Sequence, residues 1–92
     1  SHQLQPDLDR ALQLVEQAIA NGAQNYQIRD TRGQILVRLG RFEDAIADLE
    51  FALNGLPDNA ATHTAMAKAY AGVGRNDLAS LHENRSDAIQ RP

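Results

Sequence analysis

The chain has 92 residues, a net charge of −3 and a pI near 5.4, and 42% of its residues are hydrophobic. This length allows one domain with a modest core, and the acidic balance argues against a broad nucleic-acid surface. The chain has no cysteine, so disulfides and thiolate chemistry are excluded. No apolar run approaches the roughly 20 residues that span a bilayer, and no signal-peptide pattern opens the chain. We therefore expect a cytoplasmic protein with no membrane partner.

Five helices are predicted in chain order, from apolar residues at helical spacing and from the breakers between them. The first runs from Pro6 to Ala20, because proline suits a first turn and Asn21-Gly22 follows as a stop. Gly40 and Gly74 each mark the end of a later helix. The remaining four helices are predicted at residues 26–39, 42–54, 60–73 and 76–89.

The sequence repeats itself at a constant interval. Ala11, Ala45 and Ala79 are evenly spaced, and Gly40 recurs as Gly74 at the same interval. A period of about 34 residues in a helix-rich chain is typical of stacked helix hairpins. Such arrays present an extended curved surface that usually holds other proteins. The period therefore predicts protein binding rather than catalysis.

The residues that carry this period resemble the tetratricopeptide repeat (TPR) family. The matching positions are Gly33, Leu36, Gly40, Ala45, Leu49, Ala52, Leu53 and Pro57, followed by Ala67, Tyr70, Gly74 and Ala79. Arg29 and Arg32 depart from the pattern, since the family has Trp and Leu there. The resemblance implies an all-α fold, a right-handed superhelical stack of antiparallel helix hairpins, or α-solenoid, with five helices and no cofactor.

By this resemblance, residues 1–92 form a single TPR-like domain from the C-terminal portion of a longer TPR protein. Residues 7–20 are the second helix of a partial repeat, residues 26–59 a full repeat, and residues 60–89 a final repeat. The first helix has no preceding partner, so we expect Leu8, Leu12 or Val15 to be partly uncovered. The last helix places polar residues where earlier helices are apolar, which predicts a capping helix that faces water. These residues are Asn76, Ser80, Glu83, Ser86 and Asp87.

In the TPR family, the first helices of the hairpins line the ligand groove. By register the corresponding residues are Gln27, Asp30, Gln34, Val37, Arg38, Ala61, Thr64, Lys68 and Ala71. The residues from the second hairpin, Ala61, Thr64, Lys68 and Ala71, have small side chains apart from Lys68. The groove is therefore predicted to admit a peptide or partner helix closely. The alternative is an ordinary solvated surface. Asp30 stands where carboxylate-binding family members have Lys, so that specialised activity is not expected.

Charge divides unevenly between the predicted helices. Residues 26–41 carry four arginines against one aspartate, whereas residues 42–58 carry five carboxylates and no basic residue. This division favours ion pairs across the hairpin over a phosphate or nucleic-acid site. Arg29 and Arg32 face the preceding helix, where Asp9 or Glu16 are their predicted partners.

The titratable residues do not form a catalytic or metal-binding pattern. His63 and His82 lie far apart in the sequence, and zinc requires three or four converging ligands. We therefore expect no enzyme activity, no metal and no cofactor. The leading hypothesis is a scaffold that binds a protein or peptide partner. The alternatives are a structural module that stacks on its parent chain or forms a homodimer through the uncovered first helix, and a regulatory appendage of a larger enzyme.

Overall fold

Residues 5–23 and 25–92 are described by the structure, a computed structural model, and they form five α-helices and no strand. These are α1 (Pro6–Ala20), α2 (Tyr26–Arg38), α3 (Phe42–Leu53), α4 (Ala60–Gly72) and α5 (Asn76–Gln90). Every helix begins at its predicted residue and ends within one residue of its predicted end. In the described part of the chain, none of the helices has the length and apolar character needed to cross a membrane.

Two asparagines and two glycines fix the helix ends. The side-chain oxygens of Asn25 and Asn59 accept hydrogen bonds from the backbone N–H three residues on, at 2.8 and 3.1 Å. These bonds satisfy donors that an isolated helix start leaves unpaired. Gly40 and Gly74 follow α2 and α4 with φ of 77° and 81°, a left-handed conformation that glycine adopts without strain. The turn chemistry thus recurs from one repeat to the next.

The helices stack as antiparallel hairpins. Each helix packs against the next along the chain, and α2 also packs against α4. Because α4 begins one repeat length after α2, and α5 begins one repeat length after α3, the second hairpin repeats the first by one step along the stack. The predicted α-solenoid of five helices is confirmed.

The core lies between α2, α3 and α4. Leu49 and Ala45 of α3 have no exposed surface, and Met66 of α4 is 1% exposed. A Cβ atom added to Gly33 would lie 2.6 Å from Cγ of Leu49, closer than carbon atoms approach without a shift. Glycine at this position therefore sets the close crossing of α2 over α3.

The outer face of α1 is partly uncovered. Leu8 and Val15 are half-buried, as predicted, whereas Leu12 is only 7% exposed. Leu12 is covered because it belongs to the same core cluster as Leu36 of α2. Leu14, which was not singled out in the sequence, is 55% exposed.

The polar face of α5 is exposed at four of its five predicted positions. The prediction is wrong for Ser86, which is 3% exposed. Its hydroxyl donates a hydrogen bond to the carbonyl oxygen of Ala60 at 3.1 Å and lies 2.7 Å from the hydroxyl of Thr64. Burial is tolerated because each polar group has a partner.

Candidate functional site

A groove runs between α2 and α4, on the first helices of the two hairpins. It encloses about 360 Å³. The lining residues are Gln34, Val37, Arg38, Ala61, Thr64, Ala65 and Lys68. Six of these seven belong to the predicted set, and they come together because spacings of three and four residues share one helical face.

Three predicted residues do not line this groove. Gln27 is exposed outside it, and Ala71 lines a neighbouring groove between α4 and α5. Asp30 is 5% exposed, although its predicted role required an accessible side chain. Conversely, Ala65 lines the groove and was missed, because its counterpart one repeat earlier, Thr31, is exposed and polar.

Asp30 links α2 to α4. One carboxylate oxygen accepts a hydrogen bond from the hydroxyl of Thr62 at 2.7 Å, and the other accepts from the amide of Gln34 at 3.0 Å. Thr62 is fully buried, so this bond lies in a region where losing a partner costs more than at the surface. The sequence could have indicated this contact, because Thr62 lies one repeat length after the apolar Ile28. A polar residue at an equivalent, apolar position implies a buried hydrogen-bond partner.

The groove carries positive charge. Arg38 and Lys68 are exposed on its two walls, and no carboxylate is among its lining residues. Within residues 5–23 and 25–92, neither cation forms an ion pair. Between them lie the small side chains of Ala61, Thr64 and Ala65.

Ion pairs join α2 to α3, outside the groove between α2 and α4. Asp48, whose side chain is 3% exposed, accepts from Nε of Arg29 at 2.6 Å and from Nε of Arg32 at 2.7 Å. The hydrogen bond to Asp48 raises the pKa of Arg32. Arg29 also lies 4.3 Å above the ring of Phe51, a cation–π contact. The predicted pairing across the hairpin is confirmed, but the partner is Asp48 rather than Asp9 or Glu16.

A histidine pair joins α4 to α5. Nδ1 of His63 lies 2.9 Å from Nδ1 of His82, and Nε2 of His63 lies 2.8 Å from the carbonyl oxygen of Pro57. Because a carbonyl only accepts, Nε2 of His63 carries the hydrogen. In a neutral His63 this leaves Nδ1 as an acceptor, so His82 donates from its own Nδ1. His82 also stacks on Tyr70, whose hydroxyl donates to Glu50 at 2.8 Å. In the part of the chain that the structure describes, no group of three or more potential ligands is placed to hold a metal.

Antiparallel helix hairpins that repeat at a constant interval, with a groove across their first helices, define a TPR-like helical-repeat protein. No protein-family model matches the chain, and no curated protein matches it. Among solved structures, the chain is similar to MamA MSR-1, with a TM-score of 0.76 and 28% identity over 90% of this chain and 48% of that one. Two structures of MamA AMB-1 are similar too. One has a TM-score of 0.78 and 29% identity over 90% of this chain and 49% of that one, and the other has a TM-score of 0.79 and 28% identity over 91% and 49%. The chain thus spans about half the length of these proteins.

Proposed function

We propose that this chain is a protein-interaction scaffold that binds a peptide or helix of a partner protein in the groove between α2 and α4. The observation that carries the proposal is the groove itself, in which six residues predicted from two successive repeats line one surface of about 360 Å³. The TPR-like fold shared with MamA supports a scaffold role. Arg38 and Lys68 favour a ligand that presents acidic side chains, because opposite charges steer and orient binding.

Two matched variants test the groove after binders have been selected from a displayed peptide library. Ala61→Phe places a bulky neutral side chain inside the groove, whereas Ala88→Phe makes the same change at an exposed position of α5. We expect the affinity for a selected peptide to fall about tenfold or more in Ala61→Phe, and by less than about twofold in Ala88→Phe. Fluorescence anisotropy with a labelled peptide measures both. Equal affinities for the two variants would remove the groove from the proposal.

Self-association through α1 is the second candidate function. Leu14 is 55% exposed and lies beside the half-buried Ala11, Val15 and Ala18. A contiguous apolar patch of this kind is typical of a contact surface. Light scattering at high concentration should then give a dimer that Leu14→Glu dissociates. Leu81, which is 57% exposed on α5, provides the control, because Leu81→Glu should leave that dimer intact. A monomer at every concentration would contradict this candidate.

A further inference from the structure

A second groove, of about 480 Å³, runs between α4 and α5. Its floor is formed by three alanines, Ala67, Ala71 and Ala79. Charged side chains stand along its walls, with Lys68 on α4 and Glu83 and Asp87 on α5. Thr64 and Lys68 also line the groove between α2 and α4, so the two surfaces adjoin along α4.

Comparison with the preceding repeat indicates that this groove is a helix-packing surface. A shift of one repeat length towards the N-terminus converts its three floor residues into Gly33, Val37 and Ala45. Those residues belong to α2 and α3, and α4 packs against both of these helices. The groove between α4 and α5 is therefore equivalent, one repeat later, to the surface on α2 and α3 against which α4 packs.

The α5 wall of this groove carries charged residues where the equivalent surface on α3 has apolar ones. Glu83 takes the position of the fully buried Leu49, and Asp87 takes the position of Leu53. The two carboxylates are four residues apart and so lie on one face of α5. In the described ranges, neither they nor Lys68 form an ion pair. Both carboxylates are exposed.

We propose that the groove between α4 and α5 binds an amphipathic helix of a partner protein, with two basic residues one helical turn apart set against Glu83 and Asp87. Small apolar residues of that helix rest on the alanine floor, where the absence of large side chains allows close backbone approach. The charge pattern selects a partner rather than a second copy of this chain. Among α1 to α5 as described, no helix carries two exposed basic residues.

A pair of synthetic helices tests this assignment. The probe is a capped, fluorescently labelled peptide of about 16 residues, with an alanine and leucine stripe flanked by two lysines four positions apart. The control peptide has glutamate in place of both lysines. At low ionic strength we expect the lysine peptide to bind about tenfold more tightly than the glutamate peptide, because two ion pairs replace two repulsive contacts.

Charge reversal on the protein supplies the decisive comparison. Glu83→Lys should weaken the lysine peptide about fivefold to tenfold and strengthen the glutamate peptide. Glu43→Lys makes the same change on α3, outside the groove, and should alter neither affinity by more than about twofold. Circular dichroism should give the same helix content for both variants, since both positions are exposed.

Three results would overturn the proposal. The first is equal affinity of the two peptides for the unmodified chain. The second is loss of lysine-peptide binding in Ala61→Phe but not in Glu83→Lys, which would assign the peptide to the groove between α2 and α4 and leave the proposed function intact. The third is a dimer in light scattering that Glu83→Lys dissociates, which would make a second copy the occupant.

Discussion

Asp48 pairs with two arginines through one carboxylate. The carboxylate is almost fully buried, whereas the side chains of Arg29 and Arg32 are 22% and 25% exposed. In the TPR pattern both arginine positions are apolar, so a charged cluster here replaces a hydrophobic contact between α2 and α3. Such a cluster is stable only while every charge has its partner.

Removing the Asp48 charge should destabilise the fold. Asp48→Asn leaves two guanidinium groups beside a neutral amide, and we expect a loss of about 1–3 kcal/mol in the free energy of unfolding, reduced by the partial exposure of both arginines. Asp44→Asn is the control, because Asp44 is exposed, pairs with Arg41 at 2.9 Å, and acts more weakly on Arg32 than Asp48 does. That change should cost less than about 1 kcal/mol. Urea unfolding followed by circular dichroism measures both, and equal losses would refute the role given to Asp48.

Asp30 and Thr62 should be energetically coupled. Their hydrogen bond of 2.7 Å is buried and joins α2 to α4. A double-mutant cycle with Asp30→Ala and Thr62→Ala isolates the interaction, and we expect a coupling energy of about 1–2 kcal/mol. Asp30→Ala with Thr31→Ala is the matched control cycle, because Thr31 is exposed and its hydroxyl donates only to the backbone of Gln27. Coupling of similar size in the two cycles would contradict a direct link.

At the scale of the helices, we expect the contact between α4 and α5 to weaken when His82 takes up a proton. Its pKa is lowered, first by burial and then by the neighbouring His63, while Glu50 opposes the shift. If both imidazoles were protonated, two Nδ1–H groups would oppose each other at 2.9 Å.

The sign of the pH effect follows from the lowered pKa. The unfolded chain takes up the proton near pH 6.5, before the folded chain does, so protonation favours unfolding. The stabilising contribution of neutral His82 is therefore complete above about pH 6.5 and decreases as the pH falls towards the folded pKa. We expect the free energy of unfolding to fall between about pH 6.5 and pH 5 in the unmodified chain, and to fall less in His82→Gln, whose amide can still donate to His63. Urea titrations at both pH values decide this, and identical pH dependence would exclude His82 as the responsive group.

The helices were predictable from the sequence because their signals are local. Gly40 and Gly74 act within a few residues, so they predicted the ends of α2 and α4 to within one residue. The contacts between helices were not predictable in the same way. The sequence predicts an exposed Ser86 because its side chain is polar. It does not show that Thr64 and Ala60 lie opposite this residue as hydrogen-bond partners. The His63–His82 pair likewise depends on how α5 rotates against α4, which no local pattern specifies.

The same limit explains the groove between α2 and α4. Register placed six of its residues on one surface, since a helical face follows from spacing alone. Register could not show that Asp30 is more buried than Gln34, its neighbour on the same helical face. Asp30 points to α4 because Thr62 is there to bind it, and that pairing becomes visible only when two repeats are stacked.

On the scale of the whole molecule, contacts run only between near neighbours in the stack. Among the described helices, α1 contacts α2 alone, whereas α2 contacts α1, α3 and α4. Stability in such arrays is approximately a sum of repeat stabilities and nearest-neighbour interfaces. A helix with one interface therefore opens at a lower free energy than one held on several sides.

Native-state hydrogen exchange should detect this difference between α1 and α3. We expect the amides of α1 to exchange through a local opening, at a free energy below that of global unfolding, and those around Leu49 to exchange only with global unfolding. Leu12→Ala should lower protection mainly in α1, because Leu12 is the buried contact of that helix. Leu49→Ala should cost about 2–5 kcal/mol and lower protection throughout, since it removes a side chain with no exposed surface. If Leu12→Ala lowered protection equally in every helix, α1 would belong to a single cooperative unit, and stability would not divide along the stack.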